Sequence, residues 1–369
     1  MSMTPRERIL AVYNGEEPDK TPVLVPEGLL RQAPGDWEQR LKERGIATMR
    51  VAWIFKPTIC TWNEPLDPRL PDVKYTRNNY FEKGISKTRY TYETPVGSIT
   101  GVMVTNPPDF SVDNVIQHPE EHVVKQPSDW RVVNYFFKET LNNLAPTTYE
   151  AFERSEKELG DGGITNVILG EYTAWQRAWI WLAGPERSVI DFHEQPDEIQ
   201  EYIDLHKRLH TRLAEFAAEF PAKYFLQLDH ITSVTSPRYY REYCLPIYEM
   251  YSKQLEGTGK ILGVHMDGRF GHLKKEITES PINVIDSFSV PPIGDVSLAE
   301  ARELWPDKMM FMNPAAHMAW AEPEELRKFY ESLAAEWGSK KGLLLEYMEH
   351  LPMETVGAHM SAAMEAFGY

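Results

Sequence analysis

Short apolar runs separated by amphipathic stretches recur along the chain. PVLV at 22–25 opens the series, and DWEQRLKERG at 36–45 reads as a helix closed by glycine. MRVAWIF at 49–55 is the next run. From residue 166 the rhythm continues without a break through NVILG (166–170), YFLQLD (224–229), KILGVH (260–265), INVIDS (282–287), KMMFMN (308–313) and GLLLEY (342–347). Near-continuous apolar strands alternating with helices are what a parallel sheet covered on both faces requires. Two early strands and six late ones make eight βα units. The pattern therefore predicts an α/β fold of the (β/α)8 or TIM-barrel type in preference to an open doubly wound sheet.

Between about 65 and 160 the rhythm is interrupted by proline-rich turns and alternating segments. Residues 87–104 read as a hairpin of two alternating strands around Thr94-Pro95-Val96-Gly97. The predicted organisation is one barrel domain over 1–369 carrying this hairpin-containing excursion in its N-terminal part. The sharpest helical signal opens at Ser236-Pro237 and closes at Gly257, with Tyr240, Tyr243, Ile247, Tyr251 and Leu255 on one stripe. Pro246 should kink it. A last helix is expected over 355–367.

Composition narrows the partners. With 39 Lys and Arg against 55 Asp and Glu, the formal net charge is −16, which argues against nucleic acid and against anionic membrane surfaces. No run of eighteen apolar residues occurs, and the opening MSMTPRERIL lacks the basic-then-apolar pattern of a secretory signal, so a cytoplasmic protein is expected. Two cysteines, Cys60 and Cys244, exclude a disulfide framework and a four-cysteine zinc site; both read as inert buried thiols. No GxGxxG, GxxxxGK[ST] or GxSxG motif supports a dinucleotide, P-loop or serine-hydrolase site.

In a barrel the chemistry sits at the C-terminal ends of the strands. Glu171 and Tyr172 follow the third, Asp229-His230 end the fourth, and His265-Met266-Asp267-Gly268 continue the fifth. Asn313 ends the seventh, with His317 four residues on, and the eighth carries Glu346 and then Glu349-His350. His265 and Asp267, two apart on a strand, point to one face and could grip a single ion. A third carboxylate from Glu349 or Glu346 would give the three protein ligands of a catalytic zinc site. The bland alternative is that Asp267 merely orients His265 or caps the following helix. His193, His206 and His210 read as surface or helix-face residues, His272 as a helix-end residue, and His359 as a helix-face residue. Trp175 and Trp179 read as core, whereas Trp53 and Trp62 could wall a pocket.

Several motifs occur in a recognisable order. The start TPRERILAVYNGEEPDKTPV (4–23), TPVGS (94–98), SPRYYREYCLPIYEMYSKQLEGTG (236–259), HMDG (265–268) and PPIGDVSLAEARELWPDKMMFMNPAAH (291–317) resemble the uroporphyrinogen decarboxylase superfamily, as does the closing strand-loop-proline at 342–352. The resemblance covers essentially the whole chain and implies a (β/α)8 barrel. The decarboxylases carry Arg-Gln-Ala-Gly-Arg soon after strand one. Here Leu30-Arg31-Gln32-Ala33-Pro34-Gly35-Asp36 lacks the second arginine and places an acid where a many-carboxylate substrate would sit.

The sequence is more similar to the corrinoid-dependent methyltransferase branch, whose members move a methyl group between a small molecule and the cobalt of a separate corrinoid protein. Thiol-methylating members hold zinc through His-x-Cys after strand five and a later Cys. The resemblance maps His265 onto the histidine, Asp267 onto the first cysteine and, counting back three residues from Pro352, Glu349 onto the second. Hard carboxylates in place of thiolates leave a more electrophilic zinc, suited to polarising an oxygen leaving group. The implied activity is demethylation of a small methyl donor, an aryl methyl ether favoured, with zinc or a protonated acid assisting. Asp229 and Glu171 are candidates for catalytic acids; Tyr172, His230, Asn313 and His317 are candidates for substrate contacts. The expected partners are a corrinoid protein, the small-molecule donor and a second copy in a homo-oligomer. The alternatives are a decarboxylase-like lyase acting on a carboxylated substrate and a non-catalytic barrel.

Overall fold

Eight parallel strands close on themselves in the computed structural model, which describes residues 2–56, 65–70, 72–105, 117–313, 316–347 and 351–369. In chain order the strands are β1 (Val23–Pro26), β2 (Ala47–Trp53), the two-residue β3 (Phe55–Lys56), β4 (Lys74–Glu82), β5 (Ile85–Thr94), β6 (Gly97–Thr105) and β7 (Gln117–Glu121). There follow the two-residue β8 (Ala145–Pro146), β9 (Gly163–Ile168), β10 (Tyr224–Gln227), β11 (Ile261–His265), β12 (Val284–Phe288), β13 (Met309–Met312) and β14 (Leu343–Glu346). The barrel order is β1-β14-β13-β12-β11-β10-β9-β2, and β2 returns to β1. All eight expected barrel strands are present. The start of β9 lies three residues before the apolar run, because Gly163-Ile164-Thr165 alternates instead of running apolar.

Alternation along each strand decides what fills the interior. Ile164 and Ile168 of β9, Tyr224 and Leu226 of β10, Val284 of β12, Phe311 of β13 and Leu344 of β14 form one buried cluster inside the wall. Opposite-parity residues such as Val167, Phe225, Leu262, Ile285 and Leu345 pack outward into the second cluster, under the helices. The interior tolerates the Tyr224 ring because Gly263 faces it: a Cβ there would meet the phenol oxygen at 2.4 Å.

The N-terminal end of the barrel is plugged by the helix Pro5–Tyr13. Thr4 and Glu7 cap it reciprocally, with proline at its first position. Ile9, Val12 and Tyr13 are buried in the interior cluster, and the Tyr13 ring lies 5.3 Å from Tyr224 and 5.6 Å from Phe311 between centroids. Access is thereby left to the opposite end.

The helix Trp37–Arg44 ends where expected, at Gly45 with φ +95°. The segment from Pro237 to Leu255 is helical, but a wide π turn over Tyr240–Cys244 precedes Pro246. A proline cannot donate to the carbonyl four residues back and collides with it, so the widened turn is the form the expected kink takes. The excursion holds more than the expected hairpin: β4-β5-β6-β7 form a four-stranded antiparallel sheet, followed by the helices Trp130–Asn143 and Tyr149–Leu159. Tyr92 of β5 packs edge-on to Phe136, seating the sheet on the first of these. No helix among the described residues is long and apolar enough to cross a membrane.

Candidate functional site

At the C-terminal end of β11, His265 is an inward residue in an apolar strand, and Asp267 follows it on the same side. From the neighbouring β10 the chain passes Leu228 and Asp229 to His230, whose φ of +44° is a left-handed conformation rarely held by a non-glycine residue. That backbone is associated with functional sites. Here it accompanies a convergence of three side chains. His230 Nδ1 is 3.0 Å from Asp267 Oδ2, and His265 Nε2 is 3.6 Å from the same oxygen. The two imidazoles are 4.4 Å apart between centroids, and one ligating atom from each of the three residues lies within 4.8 Å of the others.

The other carboxylate oxygen, Asp267 Oδ1, is buried without a hydrogen-bond partner among the described residues. A buried orphan oxygen is costly unless something occupies it. Two imidazole nitrogens and one carboxylate, its Oδ1 orphaned, fit a divalent cation of the zinc type.

Behind His265 lies a buried polar chain that crosses the barrel. His265 Nδ1 is 2.9 Å from Asp286 Oδ1, and the Tyr224 hydroxyl donates to Asp286 Oδ2 at 2.9 Å. Glu346 sits against Asp286 and accepts from Asn166 Nδ2 at 2.8 Å; Asn166 Oδ1 in turn accepts from the Tyr13 hydroxyl at 3.1 Å. Burial, and then the neighbouring Asp286 charge, push the Glu346 carboxyl well above its usual range. It therefore holds a proton it can donate to Asp286. Burial alone would draw His265 down, but Asp267 and Asp286 together raise it well above the usual imidazole range. Asp267 is pushed up by burial, yet the two histidines hold it well below the carboxylate range.

The remaining expected residues fall into three groups. Tyr172 is buried and stacks on His230 at 5.8 Å and 20°, with the Arg177 guanidinium over its ring. Asn313 is buried at the end of β13, donates from Nδ2 to Ser287 Oγ, and leaves Oδ1 without a partner among the described residues. These two belong to the barrel mouth. Glu171 and Asp229 lie in other contacts. Glu171 is fully buried against Arg177 Nε at 2.5 Å, and burial raises its carboxyl despite that partner. Asp229 accepts from the Tyr248 hydroxyl at 2.5 Å, the Thr173 amide at 2.7 Å and Gln227 Nε2 at 3.2 Å. Tyr248 belongs to the outer packing, so the Asp229 carboxyl faces the helices. His317 is exposed and packs edge-on to Phe329. Glu349, like Cys60 and Trp62, lies outside the described residues; Glu346 is committed to Asn166 and Asp286.

The surface reading of two histidines needs correction. His206 and His210 lie on a helix face, but a fully buried one, because the helix Asp197–Glu219 packs against the helices Trp130–Asn143 and Leu245–Leu255. His210 bridges the Tyr251 hydroxyl at 2.9 Å and the Tyr172 carbonyl at 3.0 Å. His359 lies on a face of the last helix, Met353–Ala366, as expected; that face is buried, with Nε2 2.9 Å from the Met318 carbonyl. Trp175 is core, and burial pushes the Cys244 thiol up, in keeping with an inert group. Trp53 lines a crevice with Thr147, Phe152 and Phe220, outside the barrel mouth. Sequence reasoning missed Asp286 and the ligand position of His230. The signal for Asp286 was an acid at an inward position of an otherwise apolar strand.

Fold and geometry define a (β/α)8 barrel with a candidate metal centre at the C-terminal ends of β10 and β11. No family model and no curated protein matches the chain. Among solved structures, a methyltransferase from Methanosarcina mazei superposes with a TM-score of 0.56, at 12% identity over 99% of this chain and 99% of that one. A mandelate racemase/muconate lactonizing protein from Herpetosiphon aurantiacus aligns at a TM-score of 0.23 and 8% identity, over 76% and 89% of the two chains, too low to carry an argument. At such identity the first likeness establishes the shared barrel fold.

Proposed function

We propose that the protein is a cytoplasmic methyltransferase of the corrinoid-dependent branch of the uroporphyrinogen decarboxylase superfamily. Its reaction moves a methyl group from a small donor, with an aryl methyl ether favoured, to cobalt(I) of a corrinoid carried by a partner protein. The observation that carries this reading is the convergence of His230, His265 and Asp267, with Asp267 Oδ1 unpartnered, at the mouth of a barrel of this kind. The full-length likeness to a methyltransferase barrel supports it.

Breaking a methyl–oxygen bond sends the electron pair to oxygen, so the site must place positive charge or a proton there. His265 and Asp267 would hold zinc, joined by His230 and, as the family resemblance implies, by Glu349. When bound, zinc supplies Lewis-acid polarisation of that oxygen. Asp286 keeps the hydrogen of His265 on Nδ1 and so leaves Nε2 facing the mouth. Tyr172 covers one face of His230 and excludes water from it. Asn313 Oδ1 is placed to accept from a donor group on the substrate. Glu171 and Asp229 then act by bracing the ends of β9 and β10.

The test is a mixture of the purified protein, reduced corrinoid protein and a panel of methyl ethers, amines and thiols. Absorbance of methylated corrinoid with an ether is the expected result. Transfer from no donor would sink the proposal, and turnover of uroporphyrinogen without corrinoid would establish the lyase reading in its place.

A further inference from the structure

Strand β12 carries one residue more than its neighbour matches. Ile285 pairs with Met310 and Phe288 with Met312, so three steps along β12 answer two along β13. Val284 faces the barrel interior and Ile285 the helices, yet Phe288 faces the helices again. The alternation is therefore reset between them, at Ser287, whose φ of +58° bulges the strand. Strict alternation would turn Ser287 outward with Ile285. The bulge re-aims it, and its Oγ accepts from Asn313 Nδ2 at 3.1 Å. Asn313 has the inward parity of Phe311 on β13.

Such a backbone needs a reason at a strand end. Asp72, Lys83 and Gln195, the other non-glycine residues with positive φ among those described, lie in turns or at a helix end, where it is ordinary. Ser287 and His230 hold it at the C-terminal ends of barrel strands, where surrounding structure must compensate for it.

The bulge adjoins the candidate metal centre. Asp286, immediately before Ser287, contacts His265, and Ser289 Oγ is 3.2 Å from the Asp267 carbonyl and 3.4 Å from the Ser287 carbonyl. Asn313 is 3% exposed, and with Nδ2 committed to Ser287 its Oδ1 stays buried without a partner among the described residues. A buried acceptor of this kind is costly until a donor reaches it. A carboxylate has no hydrogen to offer it, and a cation is better matched by carboxylates than by an amide. A neutral hydroxyl fits.

Resting on the methyl-transfer reading of this site, we propose that Asn313 selects methyl ethers that also carry a free hydroxyl, which donates to Oδ1. Ser287 is a positioning residue that orients the Asn313 amide.

Calorimetry on the purified full chain, without corrinoid protein, tests this with three probes. They are 2-methoxyphenol, 1,2-dimethoxybenzene with the hydroxyl capped, and methoxybenzene with the hydroxyl missing. The phenol is expected to bind at least about tenfold more tightly than either of the others. Asn313→Leu should abolish that preference and leave methoxybenzene binding unchanged. Glycine accepts the bulged backbone, so Ser287→Gly should keep the wild-type melting transition and still lose most of the preference. A purely structural role would weaken all three probes alike.

Equal binding of the three by the wild type would overturn the proposal, as would binding of none at millimolar concentration. So would a preference that survives Asn313→Leu, and one that survives Ser287→Gly would remove the positioning role. Methyl transfer is read separately. A hydroxyl preference without transfer to cobalt would overturn the methyltransferase reading alone, and transfer from all three ethers at equal KM would overturn the selection alone.

Discussion

His265 Nδ1 lies 2.9 Å from Oδ1 of Asp286, its register partner on the adjacent barrel strand. The carboxylate accepts the hydrogen at Nδ1 and so fixes which nitrogen faces Asp267. Asp286 is fixed in turn by the Tyr224 hydroxyl and by Glu346, so the imidazole is oriented from the barrel interior. Asp286→Asn is expected to lower zinc affinity by roughly 10–100-fold, the usual consequence of losing such a partner. Chelator competition on a variant with wild-type circular dichroism checks this, and an unchanged affinity would remove Asp286 from the support of the site.

His230 is the residue whose role the geometry changes most. As a ligand, its loss should cost zinc as severely as the loss of His265, by at least about tenfold. As a substrate contact it would alter KM and leave the metal content alone. Metal analysis of His230→Ala, His265→Ala and Asp267→Ala at matched concentration separates the two. Full zinc occupancy in His230→Ala would return the residue to the substrate.

The barrel itself was legible, because period-2 burial and apolar runs are local properties of a strand. The four-stranded sheet was only half legible. β5 and β6 carry buried residues, Tyr90 and Tyr92 in the one and Ile99 and Val102 in the other, whereas β4 has none and leaves no periodic signal. His265 and Asp267 could be paired from their spacing. The third member, His230, comes from a neighbouring strand through a left-handed backbone that nothing in Asp229-His230-Ile231 announces. His206 and His210 were misread for a related reason. Their helix is charge-rich on one face, but its other face is covered by distant elements, and long-range packing leaves no mark on composition.

Gly263 gives a test of the barrel interior. Alanine there would place a Cβ against the phenol of Tyr224, with the nearest contact at 2.4 Å. Overpacking of this kind costs roughly 1–3 kcal/mol. The ring can move only by disturbing the hydroxyl bond to Asp286. Gly263→Ala is thus expected to lower the urea midpoint and to weaken zinc binding together. A stable variant with lowered zinc affinity would show that the ring yields, and an effect on neither would show that the interior has room.

The buried histidines set the acid limb of stability. Burial lowers His210 to about 4 and His206 well below the usual imidazole value. For His210 the native state binds fewer protons than the unfolded chain between about pH 4 and 6.5. The stability it contributes is complete above pH 6.5 and is lost as the pH falls toward 4, a change on the order of 3 kcal/mol. Glu346 acts in the opposite sense, because its raised carboxyl takes up a proton more readily in the folded state, so the wild-type curve alone does not isolate His210. The comparison with His210→Gln does. An uncharged amide can still reach the Tyr172 carbonyl but does not titrate, so the wild type should lead in urea unfolding at pH 7 and lose that lead as the pH approaches 4. A lead that stays constant across this range would show that His210 is not held neutral by its burial.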